Sequence, residues 1–212
     1  MDYLYEVNMN GAKIMKNIIF DIGNVLLSFQ PEEYLNQFYD ENTKNDLMAI
    51  IFSSDEWVDL DFGKLTINQA IQNLTSRYPH YTQEITFVLN NWTNMLLPIK
   101  ENIQLAYQLK EKGYALYLLS NFHKEAFLEM NEYYDFFQIF DGGIISGFEH
   151  VVKPEKEIYQ LLIDRYHINV QESLFIDDML SNIHTAIDLG MQGIHLHYLA
   201  NLEEELKKRN LL

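Results

Sequence analysis

Three carboxylates, one lysine and a serine–asparagine pair set the chemical possibilities of this chain. Asp21 closes an apolar run in "KNIIFDIGNV", Ser120 and Asn121 close another in "YALYLLSN", Lys153 stands in "VVKPEKEIY", and Asp177 and Asp178 follow the run in "LFIDDML". Each alone has an ordinary structural role. An Asp or a Ser-Asn after an apolar run caps a turn. Lys-Pro starts a helix at the surface, and Asp-Asp before a helix complements its dipole. Together they describe more. Convergent carboxylates with no His or Cys beside them form an oxygen-donor site suited to a hard cation such as Mg2+. A cation beside Asp21 would keep it ionised and let a phosphoryl group approach. A carboxylate can attack phosphorus and form an aspartyl-phosphate. Lys153 would then neutralise charge on the transferring group, while Ser120 and nearby backbone N–H groups hydrogen-bond its oxygens.

For these residues to meet, the apolar runs that carry them must be parallel strands with their carboxyl ends on a common crevice. Short apolar runs at 17–22, 114–119, 139–145, 174–176 and 193–196 alternate with amphipathic helical patterns, as expected of βαβ units around a sheet covered on both faces. Pro98 is placed for a first helical turn, with Ile99, Ile103 and Ala106 on one face and Gly113 past the end. Pro154 opens a second helix carrying Ile158, Leu161 and Leu162, and a third carries Ile183, Ala186 and Ile187 and stops at Gly190. Residues 31–97 hold no clear strand. Thr66 and Gln69 form a capping box there, followed by stripes at Ile67, Ala70, Ile71 and Leu74 and at Ile85, Val88, Leu89 and Trp92. The expected class is α/β: a Rossmann-like, doubly wound parallel sheet with a helical cap inserted after the first strand. The core would comprise 15–30 and 98–212, the cap 31–97, and residues 1–14 a tail.

Composition fits a chain with a substantial core and narrows its partners. The 212 residues are 48% hydrophobic with a formal net charge of −16, and only Arg77, Arg165 and Arg209 among the 15 basic residues are arginines. Binding to nucleic acid or an anionic membrane needs clustered positive charge, which argues against both as the main partner and leaves room for a small anionic ligand where a few local cations override the global field. No apolar run approaches the ~20 residues of a membrane span. The N-terminal stretch lacks the basic start and apolar segment of a secretory signal, so a cytoplasmic location is expected. The absence of cysteine excludes disulfides, thiol catalysis and cysteine-bound zinc.

The four segments, in order, resemble the motifs of the haloacid dehalogenase-like superfamily. "FDIGNV" is similar to its first motif, "LLSN" to its second, "VVKPEKEIY" to its third and "FIDDMLSNI" to its fourth. The resemblance covers residues 16 to about 200 and implies Asp21 as nucleophile, Ser120 as phosphate-binding hydroxyl, and Lys153 as the charge-neutralising residue. It further implies Mg2+ held by Asp21, the Gly23 backbone carbonyl and Asp178, with Asp177 and Asn182 in support and Asn121 beside the substrate. Gly-Asn-Val after Asp21 and the pair Asp-Asp followed by Asn182 are similar to subfamily IA, in particular to bacterial α-D-glucose-1-phosphate phosphatases. The implied activity is Mg2+-dependent hydrolysis of a small phosphorylated metabolite, best a sugar phosphate.

One position departs from the pattern. Most phosphatases that this chain resembles carry a second Asp two residues after the nucleophile, as general acid and then base; here that residue is Gly23. Losing such help costs about 10²–10⁴-fold in rate where nothing replaces it. The alternatives are therefore a working phosphatase whose substrate relieves the need for that acid, with a cap group or bound water doing the rest, a phosphate-binding regulatory protein without turnover, or a mutase or dehalogenase of the same superfamily. His123, just beyond the second segment, is a candidate substrate contact, and so are Trp57, Asp59, Asp61 and Lys64 of the cap stretch "SSDEWVDLDFGKLT".

Overall fold

The protein is described by a computed structural model covering residues 15–212; the expected tail, 1–14, lies outside them. The strands are β1 (Asn17–Phe20), β2 (Leu27–Phe29), β3 (Leu96–Pro98), β4 (Ala115–Ser120), β5 (Gly142–Ile145), β6 (Ser173–Asp177) and β7 (Gln192–His195). Five of them form one parallel sheet in the order β5-β4-β1-β6-β7, with β1 at its centre. Phe20 pairs with Leu118 on one side and Ile176 on the other. The residues following β1 and those ending β4 and β6 therefore emerge at the same sheet edge.

Consecutive strand residues point to opposite faces, and β1 uses both. Ile18 and Phe20 belong to one apolar core, Ile19 to a second. The second core is closed by Ile158, Tyr159 and Leu162 from one helix and Ile183 and Ala186 from another. These helices are α9 and α10 of the eleven among the described residues: α1 (Pro31–Leu35), α2 (Glu41–Leu47), α3 (Asp55–Asp61), α4 (Ile67–Arg77), α5 (Thr82–Asn91), α6 (Lys100–Glu111), α7 (Lys124–Tyr133), α8 (Ser146–Glu149), α9 (Lys156–Tyr166), α10 (Leu180–Asp188) and α11 (Leu202–Lys208). Helices on both faces make the sheet a doubly wound α/β fold, as expected. No helix among the described residues is long and apolar enough to cross a membrane.

Several boundaries differ from the sequence reading. Pro98 does not open α6; it ends β3, which pairs antiparallel with β2, Leu27 opposite Pro98 and Phe29 opposite Leu96. This short ribbon brackets α1–α5 at its two ends. Pro suits such a ribbon edge because its missing N–H breaks no ladder bond there. Pro154 lies in a turn two residues before α9 begins at Lys156. Residues 135–139 form a 3₁₀ turn, and only 142–145 extend as β5. The capping box is present: Thr66 Oγ1 accepts from Gln69 N–H, and the Gln69 side chain accepts from Thr66 N–H.

The α1–α5 segment packs into the larger core, where Leu35, Leu47, Leu60, Leu74 and Val88 join Ile18 and Phe20. Its closest polar docking is at the end of α3. Ser146 Oγ donates to the Asp61 carbonyl at 2.5 Å, and His150 Nδ1 lies 2.9 Å from the Phe62 carbonyl. Gly63 follows with φ +65°, and a Cβ there would sit 2.4 Å from the Gly147 carbonyl oxygen. Gly63→Ala therefore meets both a left-handed backbone and a backbone clash, and should lower stability by about 1–3 kcal/mol. An unchanged melting temperature would mean that this contact is not tight in solution.

Candidate active site

Asp21 leaves β1 where the sheet edge opens, and its backbone N–H still reaches the Ile176 carbonyl of β6 at 2.9 Å. Three donors converge on one of its oxygens. Oδ1 accepts from Ile22 N–H at 2.7 Å and from Ser120 Oγ at 2.6 Å, and lies 2.9 Å from Lys153 Nζ. The other oxygen, Oδ2, is left for a ligand or for attack. Burial pushes the Asp21 pKa up to about 7, with Lys153 pulling against the rise and Asp177 adding to it. A further cation would hold this carboxylate ionised.

Lys153 and Asp177 form the buried floor of the site. Lys153 Nζ donates to Asp177 Oδ2 at 2.6 Å. Burial alone would pull the ammonium down, but Asp21 and then Asp177 hold its pKa above the usual lysine value. Asp177 also accepts from Met179 N–H at 2.7 Å and from Asn182 Nδ2 at 3.0 and 3.1 Å. With both oxygens so engaged, Asp177 anchors Lys153. Asn121 fixes the same lysine from its main chain: its Oδ1 accepts from Lys153 N–H at 2.7 Å and its Nδ2 donates to the Lys153 carbonyl at 3.0 Å. The side chain expected beside the substrate thus holds Lys153 in register.

Asp178 stands farther out. Its Oδ2 accepts from Asn24 Nδ2 at 3.0 Å, and burial pushes its pKa above the ordinary value while that hydrogen bond opposes the rise. Asn24 is in the left-handed region at φ 52°, as short polar side chains tolerate. This turns its amide toward Asp178, a function that sequence reading did not assign. One oxygen from each of Asp21, Asp177 and Asp178 lies within 4.8 Å of the others. An all-oxygen set of this kind matches the donor chemistry of Mg2+. The hydrogen bonds of the adjoining turn, Leu27 N–H to Ile22 O at 2.9 Å and Asn24 N–H to Leu27 O at 2.7 Å, pass the Gly23 carbonyl by.

A cavity of about 130 Å³ adjoins the cluster through Gly23, Asn24 and Asn121, which line it with Phe122 and His123 and with Phe29, Trp57, Asp61, Trp92 and Leu96. His123 is 1% exposed, with its ring 4.5 Å from those of Trp57 and Trp92. Burial pulls its pKa down to about 3, so the ring is neutral. Its Nε2 lies 3.3 Å from Asp61 Oδ1. Trp57 and Asp61 thus meet the cavity. Asp59 and Lys64, named with them in the sequence, form an ion pair with each other at 3.5 Å.

A family model for haloacid dehalogenase-like hydrolases matches residues 15–190. The chain belongs to this family. A sesquiterpene phosphatase of Aspergillus oryzae is 28% identical over 181 residues, 85% of this chain and 89% of that protein. A D-ribitol-5-phosphate phosphatase of Bacteroides thetaiotaomicron is 27% identical over 215 residues, 91% of this chain and 97% of that one. Among solved structures, a haloacid dehalogenase-family enzyme of Bacteroides thetaiotaomicron, in complex with magnesium and inorganic phosphate, superposes with a TM-score of 0.71 at 19% identity. The overlap covers 90% of this chain and 98% of that one. The resemblance read from the four segments is borne out at the level of the family: the chain is a haloacid dehalogenase-like hydrolase.

Proposed function

We propose that this haloacid dehalogenase-like hydrolase is a Mg2+-dependent phosphatase acting on a small phosphorylated metabolite through an aspartyl-phosphate on Asp21. The observation that carries the reading is the asymmetry of Asp21. Ser120, Lys153 and the Ile22 N–H occupy Oδ1, which orients the carboxylate and leaves Oδ2 to attack phosphorus. Lys153, buried between two carboxylates, keeps a fixed positive charge beside the phosphoryl oxygens as they develop charge. Asp21, Asp178 and the Gly23 carbonyl would hold the metal, which supplies Lewis acidity toward those oxygens and charge to keep Asp21 ionised. Asp177, Asn121 and Asn182 position Lys153 and do not themselves react.

The substrate reading is a small phosphate ester, with a sugar or sugar-alcohol phosphate the first choice. Its support is the relative named for ribitol 5-phosphate and the earlier likeness to sugar-phosphate phosphatases. Indole and phenyl groups of Trp57, Trp92 and Phe29 line the cavity and can pack against the C–H face of a polyol. The relative named for sesquiterpenes keeps an apolar phosphate on the same panel.

The test is a panel of phosphorylated metabolites assayed with Mg2+, with EDTA, and with Mg2+ restored. Phosphate release from at least one member should fall by ten-fold or more, to order of magnitude, on chelation and return with the metal. Release from none of them, or release indifferent to EDTA, would sink the proposal.

A further inference from the structure

The missing carboxylate at Gly23 leaves an open place at the cavity. A Cβ built on Gly23 meets nothing within 4 Å, so the position opens directly onto the cavity. Across that cavity, Asp61 is the one acidic side chain among its lining residues. It comes from the end of α3, and the structure holds that end firmly. Ser146 grips the Asp61 carbonyl, His150 meets the next carbonyl, and Gly63 lies against Gly147. The carboxylate is thus delivered to the cavity by backbone contacts with the sheet domain. His123, neutral and wedged between two indoles, lies against Asp61 Oδ1, and neither ring nitrogen has a hydrogen bond of good geometry. It forms a wall that limits where the carboxyl group can turn.

We propose that Asp61 is the general acid and base of the reaction at Asp21, supplying from the helical segment what Gly23 cannot. The assignment rests on the phosphatase reading and deepens it. In the first step Asp21 Oδ2 bonds to phosphorus and the bond from phosphorus to the leaving oxygen breaks. That oxygen takes the electron pair and the Asp61 proton, so the alcohol departs neutral. In the second step a water oxygen bonds to phosphorus as the bond to Asp21 breaks, and the Asp61 carboxylate takes the water proton. Inorganic phosphate leaves, with Asp21 a carboxylate and Asp61 protonated as at the start.

Two physical features suit Asp61 to that task. It is the last residue of α3, where the helix dipole disfavours a negative charge. Burial, with the Asp21 charge adding to it and Lys153 opposing, pushes its pKa up to about 7. A carboxyl group balanced between its two states near neutrality can both give and take a proton.

The experiment compares Asp61→Asn with the wild type on an alkyl phosphate and on p-nitrophenyl phosphate, whose leaving group departs without a proton. All assays are made with Mg2+, on variants shown to melt as the wild type does. The variant should lose about 10²–10⁴-fold in kcat/KM on the alkyl ester and far less on the aryl ester. With the aryl ester it should also show a stoichiometric burst of nitrophenol, because the aspartyl-phosphate then lacks the base that hydrolyses it. Gly23→Asp placed in the Asp61→Asn background should recover alkyl turnover, since that side chain has room. Equal losses on both esters without a burst would make Asp61 structural and overturn the assignment, as would unaltered kinetics. In both cases the phosphatase reading survives. If the wild type itself releases no phosphate in the presence of Mg2+, that reading falls and takes the assignment with it.

Discussion

Asp21→Asn is expected to reduce Mg2+-dependent phosphate release by at least about 10³-fold, as loss of a covalent nucleophile does, while the protein melts no lower than the wild type. The first half follows from chemistry: an amide nitrogen in place of Oδ2 does not form the aspartyl-phosphate. The second half follows from the burial of three charged groups together. Asp21, Asp177 and Lys153 are all buried and within 2.9 Å of one another through the lysine. Ionised, they carry one net negative charge away from water, which is why burial raises the Asp21 pKa. An asparagine of the same shape can still accept from Ile22 N–H and Ser120, and it leaves Lys153 paired with Asp177 alone, a neutral set. Removing a buried charge that is only partly compensated relieves a desolvation cost. Thermal melting of the metal-free protein together with a phosphate assay checks both halves. Residual release above a thousandth of the wild-type rate, after exclusion of contaminants, would point to a different nucleophile.

What could be read from the residues was mostly what strands deliver. Ile18-Ile19-Phe20 is apolar on both faces because β1 is central, and the run stops at Asp21 because the crevice begins there. Similar logic placed Ser120, Asp177 and Asp178 at one edge. The order of strands in the sheet was not legible, because pairing across long loops leaves no local trace in composition. Neither were β2 and β3, since three residues are too few to show a period of two. Pro98 reads as a helix start for a related reason: its fixed φ suits a first helical turn and a ribbon edge equally. Asn121 and Asn24 were visible as motif residues, but their partners are 32 and 154 residues away in sequence. Asp61 was visible only as one of several polar residues in the "SSDEWVDLDFGKLT" stretch. What separates it from Asp59 is the direction in which the docked end of α3 points, and that depends on Ser146, His150 and Gly147, far along the chain.

Lys153→Met should have the opposite balance: phosphate release lost and the fold weakened. Methionine fills much of the same volume, so the effect is one of charge. Without the ammonium, Asp21 and Asp177 must either hold two negative charges in a buried space or take up a proton, and neither can move out to water because β1 and β6 fix them. Removing one partner of a buried pair costs about 3–5 kcal/mol. For a domain of this size each kcal/mol lowers the melting temperature by roughly 2–4 °C, which gives a fall on the order of 10 °C. A second substitution separates charge from packing. In Lys153→Met with Asp177→Asn one carboxylate is neutralised, while the bond to Met179 N–H can be kept by the amide oxygen. Most of the lost stability should return, but the activity should not, because the charge facing the phosphoryl oxygens is still missing. If the single variant melts like the wild type, the Lys153 contacts of 2.9 and 2.6 Å do not govern stability. If the double variant regains activity, the cation is not needed for transfer. Either result would require a different account of why a lysine is buried between two carboxylates beneath the site.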